Sequence, residues 1–160
     1  MDSTTQSLDS FFVNGFYKGH IHFIEPVNFD KYTFTNHDDD HKVLDTNLLP
    51  IIQQVETYLN QNIISKVFDK YRIEHFAWAG VDSYSSDWHN DNKEGFNSNI
   101  LVYLDDSYGQ NKIEIKNQAE EFTIYHKKGD FVWINQDPKF LHKATHITGD
   151  RRVLSFELWT

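Results

Sequence analysis

The chain has 160 residues, a formal charge of −9 and no cysteine. That length suits one domain able to bury a core without staples. The missing thiols exclude a disulfide scaffold, a zinc ribbon and a cysteine nucleophile, and they fit a reducing, cytoplasmic setting. The acidic balance disfavours a phosphate backbone as partner, because nucleic acid is normally met by a basic patch.

The opening MDSTTQSLDS is polar, lacks the basic and apolar regions of a signal peptide, and is expected to be mobile over residues 1–10. No apolar stretch approaches the length needed to cross a bilayer. Phe11 to Pro26 is rich in aromatics and predicts one or two strands. Within it His20 and His22 alternate with Ile21 and Phe23, which reads as a half-exposed strand face rather than a metal pair. Residues 28–46 read as irregular. They include His37-Asp38-Asp39, an HxD in a charged run that is most simply a solvated loop.

From Asn47 the period changes. Ile51, Ile52, Val55, Tyr58 and Leu59 make one apolar stripe on a helix, with Asn47 as cap and Pro50 in the first turn. Ile63, Ile64, Val67 and Phe68 extend it by a turn or two. After Arg72, β-like runs are expected at 73–84, 97–104, 112–116, 121–126, 130–134, 140–147 and 151–159, punctuated by Gly, Pro and Asp turn signals. Seven short strands behind a leading helix predict a mainly β chain, a double-sheet jelly roll or barrel with a small helical layer, in a single domain spanning 1–160.

Three features in the second half carry chemistry: His89-Asn90-Asp91 in DWHND, His142 in FLHKATHI, and Arg151 opening RRVLSFELW. Two imidazoles and a carboxylate can occupy one face of an octahedral Fe(II), leaving open positions for co-substrate and oxygen. An HxD alone is weak. Around His89, however, an apolar run (HFAWAGV) precedes it and a β-like run (ILVYL) follows.

DWHND, ILVYLDD, HKKGDFVWIN and FLHKATHITGDRRVLSFEL, in that order, resemble the Fe(II)/2-oxoglutarate-dependent dioxygenases, nearest their prolyl-4-hydroxylase-like branch. The resemblance covers about residues 73–159 and implies a double-stranded β-helix. It also implies Fe(II) held by His89, Asp91 and His142, 2-oxoglutarate as co-substrate, and ascorbate as an auxiliary reductant. The implied reaction hydroxylates an unactivated C–H bond and decarboxylates 2-oxoglutarate to succinate and CO2. The 51 positions from Asp91 to His142 agree with the return that such a barrel makes to its metal.

His146 rivals His142, since four residues on along a strand it would face the same way. His142 is preferred because it leaves Arg151 nine positions later, close to the family interval. The family's final strand carries a basic residue for the far carboxylate of 2-oxoglutarate, and the planar fork of Arg suits a carboxylate. Alternation puts Arg151, Val153, Ser155 and Glu157 on one face and Arg152, Leu154, Phe156 and Leu158 on the other, apolar one. Arg151 is therefore the inward candidate, with Arg152 as alternative after a bulge. Tyr103 in VYLDD resembles the family tyrosine that donates to the same carboxylate, and equally suits a core aromatic. Trp78, Trp88 and Trp133 are candidates for the pocket wall or for core packing.

An inward Glu157 needs a partner or hydration, which places it at the barrel mouth or opposite a cationic substrate. Selectivity is expected from the loops at 28–46 and 84–96. The implied substrate is a peptidyl proline or a free amino acid, with neither nucleic acid nor membrane as partner. A different class of function on the same barrel is a cupin-like module that binds a metal or ligand without turnover.

Overall fold

The structure, a computed structural model, describes residues 7–36, 41–44, 49–80, 84–107, 111–146 and 151–160. Its frame is two antiparallel sheets. The larger runs in the order β1 (Phe16–His20), β9 (Asp130–Asn135), β6 (Phe96–Tyr103), β11 (Arg152–Trp159), β4 (Arg72–Gly80), β3 (His41–Leu44), β2 (Phe34–Asn36). The smaller runs β5 (Tyr84–Ser85), β10 (Leu141–His146), β7 (Lys112–Lys116), β8 (Glu121–Ile124). The expected strands after Arg72 therefore all form, and the first splits into β4 and β5.

Period-2 alternation gives each central strand two distinct apolar faces. Leu101, Tyr103, Val132, Ile134 and Val153 of the larger sheet meet Ile113, Ile115 and Ile124 of the smaller in an inter-sheet core. The opposite face, with Ile100, Val102, Phe131, Trp133, Leu154, Phe156 and Leu158, packs against the helical layer. That layer is led by α2 (Leu49–Asn62), whose Ile52, Val55 and Leu59 are buried on the predicted stripe. Burying each large aliphatic side chain contributes about 1.5–3 kcal/mol, which holds the helix against the sheet. The proposed cap, Asn47, lies outside the described residues.

Two readings of the N-terminal half are corrected. Ser10–Val13 is a short helix, α1, rather than strand: Phe11 inserts into the helix-side core and stacks on Trp133 at 4.1 Å between ring centroids, so tertiary packing overrides the β propensity of FFV. The interval 28–46 is not wholly irregular, because β2 and β3 pair with each other and β3 pairs with β4, extending the sheet edge. Leu8 packs on the helix-side core, while residues 1–6 and His37-Asp38-Asp39 lie outside the described residues. The turn after α2 is a 3-10 helix at Ile64–Lys66. No helix among the described residues is long and apolar enough to cross a membrane.

Candidate active site

β10 is paired along one edge with β7, opposing His142 to Ile115. Its other edge receives the DWHND segment, where His89 and His142 exchange backbone hydrogen bonds of 3.0 and 2.9 Å as an isolated bridge. Two segments 53 positions apart in sequence are thus zipped side by side, with imidazole centroids 4.4 Å apart. Asp91 completes the cluster: its Oδ2 lies 3.2 Å from His142 Nε2 and its Oδ1 3.7 Å from His89 Nε2. One ligand atom from each of the three residues falls within 4.8 Å of the others.

The chemistry of the donors suits a divalent metal. The Asp87 carbonyl oxygen can only accept, so its 2.7 Å contact with His89 Nδ1 puts the proton on Nδ1 and leaves the Nε2 lone pair facing Asp91. The hydrogen bond to His142 holds the Asp91 carboxyl below its usual range against the opposing effect of burial, and the charges of His142, His89 and Lys93 act in the same direction. Two imidazole nitrogens and an ionised carboxylate, half open to solvent at Asp91, make a three-point face for a first-row metal.

The loop carrying this face is held by amides. Asn90 Nδ2 lies 3.0–3.2 Å from the carbonyls of Gln136, Asp137 and Phe140. The fully buried Gln136 accepts from the Asp91 backbone N–H at 3.1 Å and donates to Asn99 Oδ1 at 2.7 Å. Such outer bonds orient ligating groups. Gln136 escaped the sequence reading because a polar residue ending a strand before Asp-Pro looks like any turn.

Deeper between the sheets are Arg151 and Tyr103. Arg151 is only 4% exposed and its guanidinium stacks 5.2 Å above the Trp78 ring. Tyr103 is fully buried, and burial pushes its phenol up to about 12 against the pull of the Arg151 charge. Arg151 Nε and the Tyr103 hydroxyl are both without a hydrogen-bond partner among the described residues. Leaving such groups unsatisfied costs about 1–3 kcal/mol each, so the pair is a cradle suited to a carboxylate.

Arg152 does something else. It bonds Asp105 through Nε at 3.0 Å and Nη2 at 2.5 Å, and reaches Asp30 through Nη1 at 3.0 Å. His126, not singled out from sequence, stacks on Tyr103 at 3.7 Å and 9° and bonds the Asp105 carbonyl through Nδ1. Burial lowers its pKa to about 4 and keeps it neutral.

The tryptophans separate. Trp78 underlies Arg151, whereas Trp133 sits in the helix-side core with Nε1 bonded to Ser98, on the other face of the sheet from Tyr103. Trp88 is approached by Lys116 and Lys143, whose ammonium groups lie 4.4 and 4.7 Å from its ring centroid. Glu157 opposes Glu74 and Asn99 in the larger sheet, and its carboxyl is raised by burial, which the nearby Lys93 charge counters and Glu74 reinforces. His146 ends β10, with its side chain outside the described residues.

No protein-family model and no curated protein sequence matches the chain. Solved structures do match. The chain is similar to a prolyl hydroxylase of Trichoplax adhaerens in complex with a hypoxia inducible factor peptide fragment (TM-score 0.75, 11% identity, 98% of this chain and 88% of that one). It is also similar to a Pseudomonas putida prolyl-4-hydroxylase (0.62, 11%, 95% and 96%). A third likeness is to HygX of Streptomyces hygroscopicus with nickel, 2-oxoglutarate and hygromycin B bound (0.67, 11%, 95% and 85%). At these identities the likeness speaks for a shared fold.

Proposed function

We propose that the protein is an Fe(II)- and 2-oxoglutarate-dependent dioxygenase on a double-stranded β-helix, hydroxylating an unactivated C–H bond. The observation that carries this reading is that His142, paired opposite the inward Ile115, and the buried Arg151 Nε and Tyr103 hydroxyl, neither of them hydrogen-bonded among the described residues, belong to the same inter-sheet space. His89 Nε2, His142 Nε2 and Asp91 would hold the iron, and when bound the metal supplies oxygen activation coupled to decarboxylation of 2-oxoglutarate. Arg151 neutralises the far carboxylate of the co-substrate, and Tyr103, kept protonated by burial, donates to it. Trp78 holds the Arg151 guanidinium in place and helps exclude water. Asn90 and Gln136 keep the Asp91 backbone fixed while ligands exchange.

The substrate we infer is a peptidyl proline or amino acid. The Trichoplax structure holds a peptide, and the net acidic charge of this chain suits a neutral or cationic group better than a phosphate chain. The absence of cysteine supports a cytoplasmic setting.

The test is succinate release from 2-oxoglutarate by purified protein with Fe(II) and ascorbate, repeated with peptides, amino acids and oligonucleotides. Slow uncoupled turnover, stimulated by a peptide or amino acid and lost in His89→Ala and Asp91→Ala, is expected. A protein that binds the metal yet forms no succinate with any substrate would instead be a cupin-like binding module. Stimulation by oligonucleotides alone would overturn the substrate class.

A further inference from the structure

β1 ends at His20, which pairs with Asp130 at the start of β9, and the chain then turns back through a 3-10 helix at His22–Ile24. The reversal cancels the expected shared strand face of His20 and His22, yet it brings the rings to 4.7 Å in an edge-on arrangement and carries Glu25 to His20. His20, His22 and Glu25 each offer a ligand atom within 4.8 Å of the others.

His20 is held as ligating histidines usually are. Its Nδ1 lies 2.7 Å from Oδ1 of Asp130, a residue only 6% exposed. Asp130 Oδ2 accepts from the Lys127 N–H at 2.8 Å and lies 3.4 Å from Lys18 Nζ. This buried carboxylate directs the Nδ1 proton and aims Nε2 at Glu25 Oε1, 2.7 Å away. Glu25 Oε1 thus stands on the Nε2 side of the ring, where it and Nε2 can serve as neighbouring ligands of one ion. Gly129 makes the close approach possible: its φ is +91°, and a Cβ there would fall 2.8 Å from the Ile21 carbonyl oxygen and 3.0 Å from His20 Cε1.

We propose that His20 Nε2, His22 and Glu25 form a second divalent transition-metal site, oriented by Asp130. Two imidazoles and one carboxylate suit zinc, nickel or copper rather than calcium or magnesium. Asp130 and Gln136 bracket β9, so the second site stands about 20 Å of strand length from the segment that supports Asp91, and the two sites load independently.

The experiment is calorimetric titration of the metal-free full chain with Zn(II), checked by metal analysis after desalting. Two equivalents are expected in the wild type. Because His22 and Glu25 are exposed, His22→Ala and Glu25→Gln leave the fold intact and should each lower the stoichiometry to one, as should Asp91→Ala through the other site. The Asp91→Ala, His22→Ala double variant should bind none. Asp130→Asn should weaken only the second site, by about 10–100-fold. Unchanged stoichiometry in both His22→Ala and Glu25→Gln overturns the proposal, whereas a single equivalent lost with His22→Ala but kept in Asp91→Ala would uphold it and remove the iron reading instead.

Discussion

Adjacent arginines at the head of β11 have opposite fates because strand alternation points them to opposite faces. Arg152 is saturated by Asp105 and Asp30, while Arg151 is enclosed with an unused donor. Arg151→Ala should therefore weaken 2-oxoglutarate binding by about 3–5 kcal/mol, the scale of a buried charge pair losing one partner. Arg152→Ala should lower stability and leave co-substrate affinity nearly unchanged. Calorimetry with Ni(II) in place of iron reads both, and equal losses of affinity would show that the phase of β11 does not decide the role.

His126 supplies a residue-scale prediction in pH. Its folded pKa of about 4 lies below the ordinary histidine value of 6.5, so as pH falls through that interval the unfolded chain takes up a proton that the native one refuses. Stability is therefore lost on acidification between those values, by up to about 3 kcal/mol from this group. Urea titrations from pH 7.5 to 4 should show that slope in the wild type and a shallower one in His126→Phe. Parallel curves for the two proteins would remove His126 as the cause.

Among the elements, α2 shows local pattern and tertiary packing agreeing, since its apolar stripe is the face buried on the sheet. Leu59 is fully buried against the outer face of the larger sheet, so Leu59→Ala should cost about 2–5 kcal/mol by chemical denaturation. Because that face is turned away from the inter-sheet core and His142, metal stoichiometry should stay the same. A loss of metal in step with stability would mean that the helical layer also shapes the site. β10 and the DWHND segment depend on each other in another way: their bridge makes the site a property of pairing, so neither segment positions its histidine alone.

At the scale of the molecule, the site ties the smaller sheet, through His142, to the larger one, through Arg151 and Tyr103. Ligands that bind only this assembled state stabilise it by mass action. Metal with 2-oxoglutarate, each near 100 times its dissociation constant, should add about 2.7 kcal/mol per ligand, a rise of roughly 5–10 °C in melting temperature for a chain of this size. Differential scanning fluorimetry reads this directly, and Arg151→Ala should lose only the 2-oxoglutarate part. No rise with either ligand would argue against a preformed site.

Periodicity by itself determined the apolar stripe of α2, nearly every strand after Arg72 and the division of β11 into a core face and an Arg151 face, because these depend on alternation along a few consecutive residues. Motif spacing drew attention to His89, Asp91 and His142 in short segments of strong pattern, strand alternation chose Arg151 over Arg152, and Tyr103 came only from the family resemblance. Only the tertiary structure decided that Phe11 ends in a helix, since its burial against Trp133 joins segments more than a hundred residues apart. The same holds for Gln136 under Asp91, His126 against Tyr103, and Asp130 behind His20. These partners meet across sheet registers, and a register is set by the packing of whole faces rather than by any local stretch of sequence.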